Sequence, residues 1–205
     1  MPLKHACFIS YAHGGGQLIE SFIKKFSEVL SAELETYFEE DIWIDRNKLE
    51  AGNDLESALA TAICQSVCIV VVFFPRYTRR EWCMRELAHA LRIEKERFSK
   101  LKGHFDTTKG LIIPVVLRGD EDDMPELIKK RIWVDFKAFS LADPDITHNP
   151  EHVKAVEKMA KYIHDVYKDL DRACRNQHVD ILHNCNSLLL EEPVAHRSAR
   201  QFPGR

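Results

Sequence analysis

The apolar positions of this chain alternate between short continuous runs and longer stretches with helical spacing. The runs "KHACFIS", "DIWID", "VCIVVVFF", "LIIPVVL" and "RIWVDF" are rich in β-branched and aromatic residues, which is typical of strands. The stretches between them repeat apolar residues at the spacing of one helix face. The pattern therefore predicts five strands and about five helices in alternation.

The third run, Val67 to Phe74, is apolar at every position, so both of its faces are expected to be covered. Such a strand is typical of a parallel sheet between two helix layers. We therefore predict an α/β fold with a doubly wound, five-stranded parallel sheet in the flavodoxin-like order 2-1-3-4-5. Pro114 cannot donate a ladder hydrogen bond, and we expect a bulge or an early strand end there.

Composition narrows the class of protein. The chain has 205 residues, of which 45% are hydrophobic and 30% charged, enough for one sizeable core. Its net charge of -3 and the lack of a long basic block argue against nucleic-acid binding. From Arg175 onward the helical spacing fades into a polar stretch. We predict one domain over residues 1–174 and a tail or linker over residues 175–205.

The start of the chain lacks the apolar core of a secretory signal, and the longest apolar run is too short to span a bilayer. We expect a cytoplasmic protein without membrane contacts. Four of the six cysteines (Cys7, Cys64, Cys68 and Cys83) lie in predicted strands or helices, and we interpret them as buried thiols that form no disulfides.

One group of residues near the end of the chain contains zinc-binding residue types. Its spacing fits no common zinc pattern, so a polar tail is the preferred interpretation and no metal site is predicted. The group consists of Cys174, His178, His183 and Cys185.

In a sheet of the predicted order, ligands bind beyond the carboxyl ends of strands 1 and 3. The loop after strand 1, "SYAHGGG", lacks the Gly-Lys-Ser/Thr ending of a P-loop. Its glycines, Gly14 to Gly16, either let phosphates approach the next helix or form a flexible turn. A phospho-receiver domain is excluded, because Ser10-Tyr11 and Phe74-Pro75 stand where its acidic residues would be.

The helix after strand 3 carries two acidic residues with different explanations. Thr78 and Glu81 have the spacing of a capping box, which accounts for Glu81. Glu86 lies in the third turn, on the same stripe as Trp82 and beside a stripe that is expected to be buried. From spacing alone, Glu86 is either a boundary residue in a salt bridge or a functional carboxylate facing the crevice.

Four motifs in order, "FISYAH", "DIWIDRNKLEAG", "AICQSVCIVVVFF" and "WCMREL", resemble a Toll/interleukin-1 receptor (TIR) domain over about residues 4–172. Where the family often carries Pro-Gly in its second loop, this chain has Ala51-Gly52. That departure favours the NAD-cleaving members. Their aromatic residue followed four positions later by a helical glutamate matches Trp82 and Glu86.

The resemblance implies an NAD+ glycohydrolase or cyclase, acting as a prokaryotic immune or cell-suicide effector, with Glu86 as the catalytic residue. NAD+ would be a substrate, and no cofactor is expected. Self-assembly through TIR–TIR contacts and a separate activator or sensor protein are the expected partners. The alternative is a non-catalytic TIR scaffold. The implied substrate-binding residues are Ser10, Tyr11, His13, Asp45, Leu49, Glu50 and Trp82.

Some of these residues have simpler explanations. Asp45 suits a strand end, Leu49 suits a core position, and His13 suits an exposed loop. Those alternatives stay open at the level of the sequence.

Overall fold

The computed structural model describes residues 3–38, 41–44, 54–182 and 185, with residues 41–44 described by their backbone alone. The described strands form one sheet in the order β2-β1-β3-β4-β5, and each neighbouring pair is parallel. The predicted α/β fold with a parallel sheet is therefore confirmed. The strands are β1 (His5–Tyr11), β2 (Asp41–Ile44), β3 (Ser66–Phe73), β4 (Ile112–Val116) and the very short β5 (Val134–Asp135).

Helices connect the strands, as the helical spacing of the sequence predicts. The α-helices are α1 (Gln17–Glu35), α2 (Leu55–Gln65), α3 (Glu81–Lys100), α4 (Glu126–Lys129) and α5 (Pro150–Gln177). Short 3-10 helices precede α3, α4 and α5 at Tyr77–Arg79, Glu121–Asp123 and Ile146–His148.

Helix pairs cover the sheet and bury its central strand. Helix α1 packs against α5, whereas α2 packs against α3, and members of both pairs contact β1 and β3. All residues of β3 are buried, which explains why its sequence shows no polar alternation. The carboxyl ends of β1 and β3 lie side by side where the winding of the chain reverses.

Pro114 disturbs β4 less than its chemistry suggests. It pairs with Val71 in unbroken register, so the expected bulge or early strand end is wrong. The Val116 carbonyl accepts a hydrogen bond from Phe136 on the β5 side, whereas the Leu117 amide donates to Phe73 in β3. Because backbone groups alternate in direction along a strand, position 114 faces the β5 side. On that side, the pairing with β5 begins only at Val115. The N–H that Pro114 lacks would therefore have no partner in β5, and no ladder hydrogen bond is lost.

The start of α3 also differs from the expectation. The helix begins at Glu81, and its N-cap residue, Arg80, makes no side-chain capping bond. The Thr78 hydroxyl instead donates to the Pro75 carbonyl at 3.2 Å, within the turn that carries the 3-10 helix. The capping-box prediction is therefore wrong, because this extra turn places Thr78 outside the helix.

The interpretation of Cys64 as a thiol is wrong as well. Cys64, at the end of α2, forms a disulfide with Cys185, and their Cα atoms are 5.5 Å apart. The two cysteines are 121 positions apart, so their spacing in the sequence does not indicate that they pair. Cys7, Cys68 and Cys83 are buried and form no disulfide, as predicted.

The predicted domain boundary after residue 174 stays a prediction. Helix α5 continues to Gln177, and Ile181 and Cys185 beyond it are buried. Cys185, one of the four residues considered for zinc binding, is instead bonded in the disulfide. His183, another of the four, lies outside the described residues. Within the described part of the chain, no three metal-ligating side chains cluster, and no helix is long and apolar enough to cross a membrane.

Candidate functional site

Glu86 reaches the carboxyl end of β1 from the second turn of α3. The Ser10 hydroxyl in β1 donates a hydrogen bond of 2.5 Å to Glu86 Oε2. The Tyr77 hydroxyl lies 2.9 Å from Ser10 Oγ and donates to the Cys83 carbonyl at 3.1 Å. A hydrogen-bonded chain thus connects the 3-10 helix, β1 and α3, and it orients the Glu86 carboxylate at the reversal point of the sheet.

The burial of Glu86 differs from the expectation. We expected the carboxylate to face the crevice, but Glu86 is only 1% exposed. Ser10, which is 0% exposed, donates to the carboxylate, and Tyr77, also 0% exposed, contacts Ser10. Two cavities of about 1270 and 360 Å³ in the described part of the chain are lined by other residues. In this structure the carboxylate is therefore enclosed rather than displayed to solvent.

Trp82 lies one turn before Glu86 and is half-buried. The Arg85 guanidinium lies 5.0 Å from the centroid of the Trp82 ring, a cation–π distance. Glu56, in the first turn of α2, forms an ion pair of 2.7 Å with Arg85. The predicted aromatic platform is thus linked to α2 through a stacked arginine.

The loop after β1 forms a second small cluster. The Tyr11 and His13 rings are 4.3 Å apart between centroids. Tyr11 donates to Glu20 Oε2 at 3.3 Å, and the backbone amide of Gly14 donates to the other oxygen of that carboxylate at 2.9 Å. The Arg80 guanidinium donates to the His13 carbonyl at 3.3 Å. These bonds hold the glycine loop against α1 and the start of α3.

The structure joins some of the predicted residues directly. Ser10 contacts Glu86, the Tyr11 ring lies against the His13 ring in a tilted arrangement, and Trp82 shares its helix with Glu86. Three predicted substrate-binding residues lie outside the described residues, namely Asp45, Leu49 and Glu50.

Sequence reasoning missed three participants at the site. Tyr77 was not among the predicted site residues, yet its hydroxyl contacts Ser10. Sequence reasoning assigned no role to Arg85 or Glu56, which are paired beside Trp82. The spacing of Trp82 and Arg85, three positions apart on a helix, was the available signal for their contact.

Comparison with known proteins identifies the family. A family model described as the TIR domain matches residues 7–148. A search of curated proteins found no match. A solved structure of the activated Roq1 resistosome directly recognizing the pathogen effector XopQ contains TIR domains that are 22% identical to this chain. That match covers 83% of this chain and 97% of the other, with a TM-score of 0.42. Because the family model spans more than half of the 205 residues, this chain belongs to the TIR domain family.

Proposed function

We propose that this TIR domain cleaves the bond between nicotinamide and ribose in NAD+, with Glu86 as the catalytic carboxylate. The observation that carries the proposal is the hydrogen bond from Ser10 to Glu86 Oε2. It holds an acidic group at the reversal point of a parallel sheet, where ligands of such folds bind. The order of the family motifs supports the same assignment.

A single carboxylate suffices for this reaction. Nicotinamide in NAD+ is a cation that departs as a neutral molecule, so its departure requires no general acid, unlike that of an ordinary glycoside leaving group. Glu86 binds the hydroxyls of the nicotinamide ribose and stabilises the oxocarbenium-like transition state by its charge. Water then attacks the sugar and releases a proton, giving ADP-ribose and nicotinamide. Attack by the adenine ring gives a cyclic product instead.

Burial sets a condition on this mechanism. Glu86 is 1% exposed, so the carboxylate must become accessible before a ribose can contact it. Self-assembly or a separate activator protein would provide that change, and an immune or cell-suicide role in the cytoplasm is part of the same proposal. NAD+ is the substrate, and the proposed reaction uses no cofactor.

The remaining roles follow the same geometry. Trp82 supports the nicotinamide or adenine ring, and Arg85, which stacks beside it, competes for one face of that indole. Tyr11 and His13 line the ribose side of the pocket, and Ser10 positions the carboxylate. The family resemblance assigns further substrate contacts to Asp45, Leu49 and Glu50, which lie outside the described residues.

The test measures the release of nicotinamide from NAD+ by the purified chain. Chromatography detects the nicotinamide, and the measurement is repeated over a series of protein concentrations that favour assembly. We expect Glu86→Gln to lower the rate by at least about a hundredfold. Glu81→Gln is the matched control, because Glu81 is an exposed glutamate in the first turn of the same helix. Equal release by the wild type and Glu86→Gln contradicts the assignment.

A non-catalytic scaffold is the second candidate, and the 1% exposure of Glu86 favours it. In that case Glu86 only ties α3 to β1 through Ser10. The scaffold predicts concentration-dependent association by sedimentation without nicotinamide release at any concentration. Release that depends on Glu86 excludes it.

A further inference from the structure

A disulfide links the chain after α5 to the end of α2. Cys64 is the last residue but one of α2, and it is bonded to Cys185, 121 positions further along the chain. Strand β3 begins at Ser66, directly after α2, so the disulfide lies at the amino end of that strand. Glu86 lies at the carboxyl end of β1, which is parallel to β3. The disulfide and Glu86 are therefore at opposite ends of the parallel strands.

The cysteine on α2 is held in place independently of the disulfide. Arg97 of α3 is 1% exposed, and its guanidinium donates to three backbone carbonyls at 2.6, 2.9 and 3.3 Å. Those carbonyls belong to Cys64, Ser66 and Val67. Because backbone groups accept these bonds, reduction of the Cys64 sulfur leaves them intact. We therefore expect Cys64 to keep its position when the disulfide opens.

The other cysteine belongs to the post-α5 segment (residues 178–182 with Cys185), which has few polar attachments. Among the described residues, two hydrogen bonds join this segment to α2 and α3. The Thr61 hydroxyl donates to the Cys185 carbonyl at 3.2 Å, and the Lys100 ammonium donates to the Asp180 carbonyl at 3.5 Å. The second bond is long and exposed, so it contributes little. Polar contacts alone therefore hold the post-α5 segment weakly.

The apolar contacts beyond Ile181 depend on the disulfide as well. Ile181 is 6% exposed and belongs to the main core. Cys185 instead packs with Cys64 and Ile93 in a second, much smaller cluster, which Leu182 covers in part. Two of the three buried members of that cluster are the bonded cysteines. After reduction, Ile181 should still anchor the start of the post-α5 segment, whereas Cys185 loses most of what holds it.

We infer that Cys64 and Cys185 form a reversible redox switch, which fixes Cys185 on α2 when oxidised and releases it when reduced. The reductant is a low-molecular-weight thiol such as glutathione, and the oxidant is the disulfide of that thiol. In reduction, one thiolate attacks the Cys185 sulfur, and the Cys64 sulfur leaves and takes up a proton. A second thiolate then attacks the small thiol in this mixed disulfide and releases Cys185, which also takes up a proton. The products are two cysteine thiols and one small disulfide, and the reverse sequence closes the switch.

Burial determines how the disulfide is reached. Cys64 and Cys185 are 3% and 2% exposed, so a thiolate attacks only after the post-α5 segment moves away from α2. The weak attachment of that segment permits this opening. Disulfides in compartments rich in reduced glutathione are usually transient, which favours a switch over a permanent bond. The switch involves no residue that is proposed for NAD+ cleavage.

The first test places the full chain in buffers with different ratios of reduced to oxidised glutathione. Free thiols are then alkylated, and mass spectrometry of the unreduced peptides identifies the bonded cysteines. We expect the peptides linked through Cys64 and Cys185 to disappear as reduced glutathione increases, while both cysteines become alkylated. The linked fraction should depend on the square of the reduced glutathione concentration, because two thiols are consumed for each disulfide.

Hydrogen exchange measured by NMR on the same samples reports the release of the post-α5 segment. In the oxidised chain, the Cys185 amide donates to the Leu182 carbonyl at 3.1 Å. That amide should exchange at least about tenfold faster after reduction, because the segment opens locally. The amides of the buried strand β3 should exchange at the same rate in both states.

Two variants complete the test. Cys185→Ser should show fast exchange at residue 185 whichever glutathione ratio is used. Cys174→Ser serves as the control, since Cys174 is a buried cysteine of α5 outside the disulfide, and it should respond to glutathione like the wild type.

Three results overturn the inference. They are a wild type without the link between Cys64 and Cys185 in oxidised glutathione, a link that survives every ratio, and equal exchange at residue 185 in both states. Nicotinamide release is not a readout here, so failure of the proposed NAD+ chemistry leaves this test unchanged.

Discussion

Glu86 and Glu94 lie about two turns apart on α3, and both are buried, but their surroundings differ. Glu94 receives two hydrogen bonds from the Arg131 guanidinium and one from the Leu111 amide. Glu86 receives a hydrogen bond from the hydroxyl of Ser10, which orients its carboxylate at the carboxyl end of β1. The guanidinium and amide around Glu94 stabilise the packing of the fold, whereas the bond from Ser10 fixes the direction of a carboxylate at the reversal point of the sheet.

The largest expected effect on stability separates these two glutamates. Glu94→Gln should lower the free energy of unfolding by about 3 kcal/mol, because Arg131 loses its anionic partner in a mostly buried site. Glu86→Gln should change it by less than about 1 kcal/mol, or even raise it, as is common when a functional charge is removed. Urea unfolding of both variants measures the difference. Equal losses would indicate that both glutamates are structural.

A buried histidine lies between the two glutamates and should make the stability of the chain depend on pH. Burial, followed by the charge of Arg92, lowers the pKa of His89 from 6.5 to about 4. The unfolded chain therefore binds a proton below about pH 6.5 that the folded chain does not bind. Stability is fully present above that pH and should fall by about 3 kcal/mol as the pH approaches 4.

His89→Leu is the variant that isolates this effect. Unfolding should be measured between about pH 7.5 and pH 4.5, and the loss toward acid pH should be smaller in the variant than in the wild type. The carboxylates titrate in both proteins. The difference between the two plots of unfolding free energy against pH therefore gives the contribution of His89. Identical slopes would show that His89 does not contribute.

Removal of the hydroxyls near Glu86 should give the next largest effect, a decrease in the rate of NAD+ cleavage. Ser10→Ala should lower kcat for NAD+ cleavage about tenfold, because the carboxylate loses the bond that orients it. Tyr77→Phe removes a hydroxyl one bond further away, and we expect about a threefold decrease. Steady-state kinetics should show both effects in kcat with little change in KM. A loss of thermal stability without a change in kcat would indicate that these hydroxyls are only structural.

The smallest effect concerns the aromatic platform. Glu56→Gln removes the carboxylate that holds Arg85 beside Trp82, an ion pair with partly exposed partners. If the substrate ring competes with Arg85 for the indole, KM for NAD+ should change by about twofold to threefold with kcat unaffected. A change in kcat alone would contradict this role.

Much of the fold was predictable from local pattern. The apolar run at β3 predicts a strand buried on both faces, and the structure buries every residue of Ser66–Phe73. The class of fold and the parallel sheet follow from the alternation of such runs with helical stretches. Pro114 was misinterpreted, because the direction of one backbone amide depends on which neighbour is paired at that position.

The buried face of α3 was less predictable. The helical spacing of the apolar residues predicts core positions for Leu91 and Phe98, but both are half-buried. The buried face instead includes four ionisable residues, which apolar periodicity does not detect: Glu86, His89, Glu94 and Arg97. Arg97, for example, donates to the carbonyls of Cys64, Ser66 and Val67, and such partners emerge only from the fold.

The candidate site was therefore only partly predictable. The spacing of Trp82 and Glu86 could be read from the sequence, as could the position of Ser10 at a strand end. The enclosure of Glu86 could not, because it depends on Tyr77, which reaches Ser10 from 67 positions away. The disulfide between Cys64 and Cys185 likewise depends on a long-range contact.

The most direct test compares NAD+ cleavage by Glu86→Gln and Glu94→Gln, with each rate expressed per folded molecule. The account predicts that kcat/KM falls by at least about a hundredfold in Glu86→Gln and stays within about threefold of the wild type in Glu94→Gln. Both variants remove one buried negative charge from the same helix, so a general effect of charge would change them equally. Cleavage that survives in Glu86→Gln at the wild-type rate would contradict the central claim.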